Sequence, residues 1–211
     1  MEIVGILFMI VVVTPIVGLA FAGYYWSGAR SRERLAGVWA SYARGRGLAF
    51  DAPSGEWPNR TAPGIRWTEG GVAYRVEARG REASVTTRVV ARPEVAVFGE
   101  IFVTRPDGEA AQKAGAKPLG GRLVVWTHPT GLADRVLTDD VKRALLGFDL
   151  GSLSLVYRRG EVSLGWAGGE ENDARLDEAT ALVRRIVSAF ALAYEPAPPE
   201  PRVAAGLSRD R

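Results

Sequence analysis

The spacing of hydrophobic positions changes along this chain, and each spacing predicts a different kind of element. The first pattern is an unbroken run from Ile3 to Trp26 that contains no charged residue. The hydrocarbon core of a bilayer is about 30 Å thick, and a helix of about 20 apolar residues spans it. Tyr24, Tyr25 and Trp26 close the run, and aromatic side chains concentrate at membrane interfaces. The pattern therefore predicts a transmembrane anchor at residues 1–26.

The flanking charges predict the orientation of this anchor. No Lys or Arg precedes the run, whereas several arginines follow it. Cytoplasmic flanks of membrane helices carry an excess of Lys and Arg, so we expect a single-pass membrane protein whose remaining residues lie in the cytoplasm. The arginines would also attract anionic lipid headgroups of the bilayer, at about 1 kcal/mol for each cation. The predicted membrane-interface residues are Tyr24, Tyr25, Trp26, Arg30, Arg32 and Arg34.

A cleaved signal peptide is the alternative interpretation of the same run. Ala20-Phe21-Ala22 resembles a small-residue cleavage site. However, the run is long for the apolar region of a signal peptide, and no cation precedes it. These two features favour retention of the segment as an anchor.

Residues 27–47 show helical spacing and are predicted to form a basic juxtamembrane helix. Ser31 is a suitable N-cap, and Gly45 and Gly47 end the pattern. Four apolar residues share one face of this helix, which could lie on the membrane surface or pack onto the following domain. Those residues are Leu35, Val38, Trp39 and Tyr42.

Beyond residue 48 the apolar positions alternate, which is typical of half-buried strands. Residues 72–91 and 153–166 predict two β-hairpins that turn at Gly80-Arg81 and Arg159-Gly160, and further strands are predicted at 98–104 and 122–127. Two helices accompany these strands. Thr138 is expected to cap a helix over 139–146, and a longer helix is expected over 172–194.

The long C-terminal helix carries one apolar stripe at positions 176, 179, 183, 186, 190 and 193. This stripe could cover an antiparallel sheet, or it could pair with a second copy in a homodimeric coiled coil. The sequence thus predicts an α+β fold, with an N-terminal transmembrane helix followed by a mainly antiparallel sheet packed by this helix. The globular domain is placed at 48–194, and residues 195–211 are predicted to be a disordered Pro-rich tail.

Composition mainly excludes chemistry. The 211 residues include no Cys and a single His, so one chain offers no thiolate nucleophile and no multi-histidine metal site. The formal net charge is +3, and the arginines are interleaved with acids along the chain. Such interleaving does not form the basic stripe of a nucleic-acid-binding protein. We therefore expect no nucleic-acid partner, no metal and no cofactor.

His128 is the one candidate for catalysis. A Ser-His-Asp arrangement would need it, with Asp134 or Asp140 to orient the ring. No G-x-S-x-G nucleophile elbow is present, and no Walker-type phosphate loop follows Gly45-Arg46-Gly47. The acidic residues at 139–140 and 170–178 are explained by the preference of helix starts for acids. No catalytic, cofactor-binding or metal-ligating residue is assigned.

Several of these features together resemble uncharacterised bacterial single-pass membrane proteins that carry a small α+β domain. They are the run from Trp39 to Phe50, the strand pair with TTRVVA at 86–91, and the C-terminal hairpin followed by an amphipathic helix. The hairpin and helix are also similar to the end of pleckstrin-homology-like domains, although the helix over 139–146 departs from that pattern. The resemblance implies an anchored α+β fold and no catalytic residues.

The sequence leaves three functional hypotheses. The first is a membrane-tethered, non-catalytic binding or scaffolding domain, with the lipid bilayer and a protein partner or a second copy as its contacts. The second is a membrane-anchored hydrolase that uses His128 and a nearby acid. The third is an extracytoplasmic envelope domain. It requires that the arginines after the apolar run do not lie on the cytoplasmic side. The first is favoured because no nucleophile motif accompanies the histidine.

Overall fold

The computed structural model describes residues 14–55, 61–80, 85–93, 97–148 and 152–193. Within these ranges, nine antiparallel strands form one sheet in the order β1-β2-β3-β4-β9-β8-β5-β7-β6. The strands are β1 Ala49–Asp51, β2 Gly64–Glu69, β3 Val72–Arg79, β4 Thr86–Arg92, β5 Glu100–Thr104, β6 Lys117–Gly120, β7 Leu123–His128, β8 Ser154–Arg158 and β9 Glu161–Ala167. The helices are α1 Thr14–Arg46, α2 Leu132–Val136, α3 Asp139–Gly147 and α4 Asp173–Ala193, with a 3-10 turn at Glu109–Gln112.

The N-terminal helix differs from its prediction. Helix α1 continues for 33 residues from Thr14 to Arg46, through both the second half of the apolar run and the basic stretch after it. In the part of the chain that the structure describes, no helix is both long enough and apolar enough to cross a bilayer. The predicted transmembrane anchor at 1–26 is therefore wrong, as are the single-pass membrane localisation and the cytoplasmic placement that depended on it. Residues 1–13 of that prediction lie outside the described residues.

The C-terminal half of α1 belongs to the core of the domain. Leu35, Trp39 and Tyr42 are all less than 5% exposed, as their spacing on one helical face predicted. This face packs on the sheet. The helix therefore has no free apolar face with which to lie on a membrane surface, which was the alternative interpretation. The start predicted at Ser31 is also wrong, because helix α1 already runs through that residue.

The predicted α+β architecture of the domain is confirmed. Helix α4 buries its apolar stripe against the sheet, with Leu176, Val183, Ile186 and Phe190 all at most 2% exposed. Both predicted hairpins form, since β3 pairs with β4 and β8 pairs with β9. Arg159 and Gly160 take positive φ values of 53° and 73° in the second turn, as a tight hairpin turn requires. The predicted tail at 195–211 lies outside the described residues.

The sheet separates two environments. Its inner face carries the apolar positions of each strand, such as Val76, Val89 and Leu164, and the helices pack over these. Its outer face carries the alternate residues, among them Arg88 on β4 and Ser163 on β9. Because successive residues of a strand point to opposite faces, polar groups that are distant in sequence meet on the outer face.

Candidate functional site

The residues predicted at a membrane interface all belong to helix α1. The described contacts of two of them are with the protein itself. Arg32 donates to the carbonyl oxygen of Gly80 at 3.3 Å, and Arg34 forms an ion pair with Glu171 at 2.8 Å. These arginines help to dock α1 onto the domain. The structure tests no lipid contact by the six residues, so their interfacial role stays a prediction.

His128 lies at the exposed end of β7, where its ring stacks beside Trp126 with 6.4 Å between the ring centroids. Among the described residues, no hydrogen bond or ion pair joins it to Asp134 or Asp140. Asp140 instead pairs with Arg143. No observation of the described residues therefore favours the hydrolase hypothesis. The same residues also contain no group of three or more potential metal ligands.

Acidic residues in the first turns of α4 bind side chains of helix α1. Asp177 accepts hydrogen bonds from the Tyr42 hydroxyl at 2.7 Å and from Arg46 Nε at 3.0 Å. Burial raises the pKa of Tyr42, and its hydrogen bond to Asp177 raises it further. Burial also raises the pKa of Asp177, but the bonds from Arg46 and Tyr42 outweigh this and hold that pKa below its ordinary value. These acids serve the fold, as expected for the start of a helix.

A groove of about 800 Å³ lies between α3 and α4. Apolar side chains from both helices line it, including Val141, Ala144, Ala189 and Leu192. Leu192 is 75% exposed, so its side chain presents apolar surface at the groove. The groove thus offers apolar surface that no described part of the chain covers.

Guanidinium groups form the rim of this groove. Arg143 and Arg184 have partners, since Arg143 pairs with Asp140 and Arg184 pairs with Glu69 at 2.6 Å. Arg185 has no hydrogen bond or ion pair within the described ranges, and it also lines a smaller adjoining cavity of about 260 Å³. The positive charge of Arg185 is therefore available to a ligand that reaches either cavity.

The sequence alone did not reveal this groove. It requires α3 to pack beside α4, and these helices are separated along the chain by the β8–β9 hairpin. The available signal was the pair of arginines at 184 and 185, which lie about one helical turn before Ser188 and two turns before Leu192, outside the predicted apolar stripe.

Comparison with known proteins gives a similarity of fold. No protein-family model and no curated protein matches the sequence. The crystal structure of the mycobacterial trehalose monomycolate transport factor A, TtfA, matches with a TM-score of 0.58 at 15% sequence identity. The match covers 78% of this chain and 98% of TtfA. This chain shares the fold of TtfA. Identity this low shows the fold alone, because one fold can host many functions.

Proposed function

We propose that this chain is a non-catalytic binding domain that serves lipid transport, and that the α3–α4 groove holds the lipid. The observation that carries the proposal is the groove itself, which combines apolar walls with a spare guanidinium group. Ligand pockets are commonly about 300–1,000 Å³ and mostly apolar, with a few polar groups that fix orientation. The volume of about 800 Å³ fits that description.

The proposed ligand is an amphiphile with an apolar chain and an oxygen-rich headgroup. The chain would lie on Ala144, Ala189 and Leu192, which removes apolar surface from water at a gain of about 25 cal/mol for each Å². The headgroup oxygens would accept hydrogen bonds from Arg185, which has only donors to offer. The shared fold supports this choice, because TtfA is a trehalose monomycolate transport factor and trehalose monomycolate is a glycolipid.

A direct test compares trehalose monomycolate with free trehalose as probes in native mass spectrometry. We expect the glycolipid to be retained and trehalose not to be, because the apolar walls supply most of the binding free energy. The variants Leu192→Asp and Arg185→Gln should weaken retention. Matched controls are Phe98→Asp, an apolar residue 84% exposed outside the groove, and Arg135→Gln, an exposed arginine on α2.

Two results would contradict the proposal. The first is equal retention of trehalose and the glycolipid, which would indicate a polar sugar site elsewhere. The second is an equal loss of retention in Phe98→Asp and Leu192→Asp, which would indicate non-specific adsorption to exposed apolar side chains. Binding of a protein partner or of a second copy stays a prediction. Light scattering of the full chain tests whether two copies associate.

A further inference from the structure

A second cavity, of about 280 Å³, lies on the outer face of the sheet, away from the α3–α4 groove. Strands β4, β8 and β9 form its floor, and none of the described residues that line it is acidic. Gly165 leaves space on the floor of the cavity, because a Cβ at this position would lie 3.2 Å from Arg88 Cγ. The polar lining residues are Thr86, Arg88, Ser152, Ser154 and Ser163.

Hydrogen bonding leaves this cavity rich in donors. Arg88 donates to Ser163 Oγ from Nε at 2.9 Å and from Nη2 at 2.6 Å. A serine hydroxyl has two acceptor sites and one proton, so both acceptor sites of Ser163 are filled and only its proton remains. Ser163 is 5% exposed, so this proton is largely shielded from bulk water and can donate to a group that enters the cavity.

The other hydroxyls point to the same chemistry. Ser152 Oγ accepts the backbone N–H of Ala167 at 2.6 Å, which leaves the hydroxyl proton of Ser152 to donate. The hydroxyls of Thr86 and Ser154 have no hydrogen-bond partner within the described ranges. A group with several acceptor oxygens would match this arrangement of donors.

Positive charge exceeds negative charge beside the cavity. Glu77 lies opposite Arg88 and is contacted by three arginines: Arg75 at 2.9 Å, Arg79 at 2.6 Å and Arg88 at 3.4 Å. One carboxylate cannot neutralise three guanidinium groups, and Glu161, the other acid that acts on Arg88, pairs with Arg92, so positive charge is left over. Burial lowers the pKa of Arg88, and the nearby charge of Arg79 lowers it further. Arg79 stands opposite Thr86 in the β3–β4 register, at the edge of the cavity.

We propose that this outer-face cavity binds a phosphate group. Arg88 would hold one side of the phosphate, and the hydroxyls of Ser154 and Ser163 would donate to its other oxygens. A phosphate carries a charge near −2, which balances the surplus of the arginine cluster, and its tetrahedral oxygens accept from several directions. Guanidinium groups bind phosphate with strong charge-assisted hydrogen bonds. The site is separate from the lipid groove and stands whether or not that groove binds lipid.

The test titrates the full chain with inorganic phosphate, using ³¹P NMR line widths and the melting temperature at constant ionic strength. We expect phosphate to raise the melting temperature more than chloride does. Arg88→Gln should weaken phosphate binding about tenfold, because it removes a charged hydrogen-bond donor. Ser154→Ala should weaken it severalfold without a change in the unliganded melting temperature, since that hydroxyl is unpaired in the described structure. Ser154→Ala thus keeps the test valid if Arg88→Gln does not fold.

Arg92→Gln is the matched control, because Arg92 lies on the same strand and pairs with Glu161 at 2.9 Å outside the cavity. An equal loss of binding in Arg92→Gln and Arg88→Gln would overturn the proposal, since it would indicate general attraction to a basic face. No effect of phosphate beyond that of chloride would also overturn it. Repeating the titration with glycerol 3-phosphate and with vesicles that contain phosphatidic acid identifies the source. Saturation by the soluble monoester supports a metabolite, and binding to the vesicles alone supports a lipid headgroup.

Discussion

Glu170 connects four elements through one residue. Its backbone oxygen accepts Trp39 Nε1 at 2.8 Å, and its backbone N–H donates to Thr87 Oγ1 at 2.9 Å. Its carboxylate accepts Trp166 Nε1 at 3.2 Å and the backbone N–H of Asn172 at 2.9 Å. Helix α1, strands β4 and β9 and the start of α4 therefore meet at this position. The carboxylate of Glu170 is therefore a structural acceptor.

We expect Glu170→Ala to lower the free energy of unfolding by about 1–3 kcal/mol, because it leaves the buried N–H of Trp166 without an acceptor. Glu170→Gln should cost less, since its amide oxygen still accepts one of the two bonds. Urea unfolding measures both. Glu171→Ala is the control, because Glu171 forms only an exposed ion pair with Arg34, and such pairs contribute little. If Glu170→Ala lowered the free energy of unfolding as little as Glu171→Ala is expected to, the Glu170 carboxylate would not be needed as an acceptor.

Asp177 should make the free energy of unfolding fall as the pH becomes acidic. Its pKa is lower in the folded state than in the unfolded chain, so the unfolded state binds the proton more readily. The stabilisation is therefore fully present above the ordinary pKa of an aspartate and is lost as pH falls through the lowered value. We expect Asp177→Asn to be less stable than the parent at neutral pH, and the difference to shrink on acidification. Thermal melts from pH 7 to about pH 2 measure this difference. A difference that stays constant across that range would contradict the assignment.

At the scale of elements, the C-terminal helix shows what periodicity can predict. Its apolar stripe is long and regular, and the burial of Leu176, Val183 and Phe190 follows it. The Asn172 side chain accepts the N–H of Ala174 at 3.0 Å, so the predicted start also holds. The alternative of a coiled coil needs the same stripe to be exposed. Because the sheet already covers it, pairing of two copies through this stripe would require the domain to open.

Phe190→Ala should destabilise the domain strongly. The Phe190 ring is 2% exposed and lies 4.0 Å from the Tyr157 ring, centroid to centroid. Removing a buried phenylalanine ring costs about 3–5 kcal/mol through lost burial and a residual cavity. Leu192→Ala, two residues further along α4 and 75% exposed, should change the melting temperature little. A folded Phe190→Ala protein with an unchanged melting temperature would contradict the packing of α4.

The elements that sequence reasoning missed are short or lack a clean period. Strands β1 and β6 have three and four residues, and β2 follows a segment rich in Pro and Gly. The error at the N-terminus has a different cause. The apolar run and the basic amphipathic stretch each have a strong pattern of their own, and Gly28 lies between them, yet the helix continues through that glycine. The amino-acid composition changes from apolar to basic within α1, whereas its backbone stays helical throughout.

At the scale of the whole molecule, the strand order decides which residues meet. Strand alternation places Arg88 and Ser163 on polar faces, but only the pairing of β4 with β9 brings them together across 75 positions of the chain. No local pattern encodes that pairing, because any antiparallel neighbour would satisfy the same alternation. Both candidate sites depend on such long-range contacts. They therefore lay beyond the reach of a single sequence, although the fold class did not.

The same strand order predicts that the domain unfolds as one unit. The β8–β9 hairpin stands between β1–β4 on one side and β5–β7 on the other, so neither side completes its sheet without the C-terminal segment. We expect single, coincident transitions by tryptophan fluorescence and by far-UV circular dichroism, as in two-state unfolding. Val76→Ala in β3 and Ile101→Ala in β5 each empty a fully buried position on opposite sides of the hairpin. Each variant should lower the midpoint of the single unfolding transition, and by the same amount for both probes. Two separate transitions, with each variant shifting only one of them, would instead show that the halves fold independently and that the hairpin belongs to one of them.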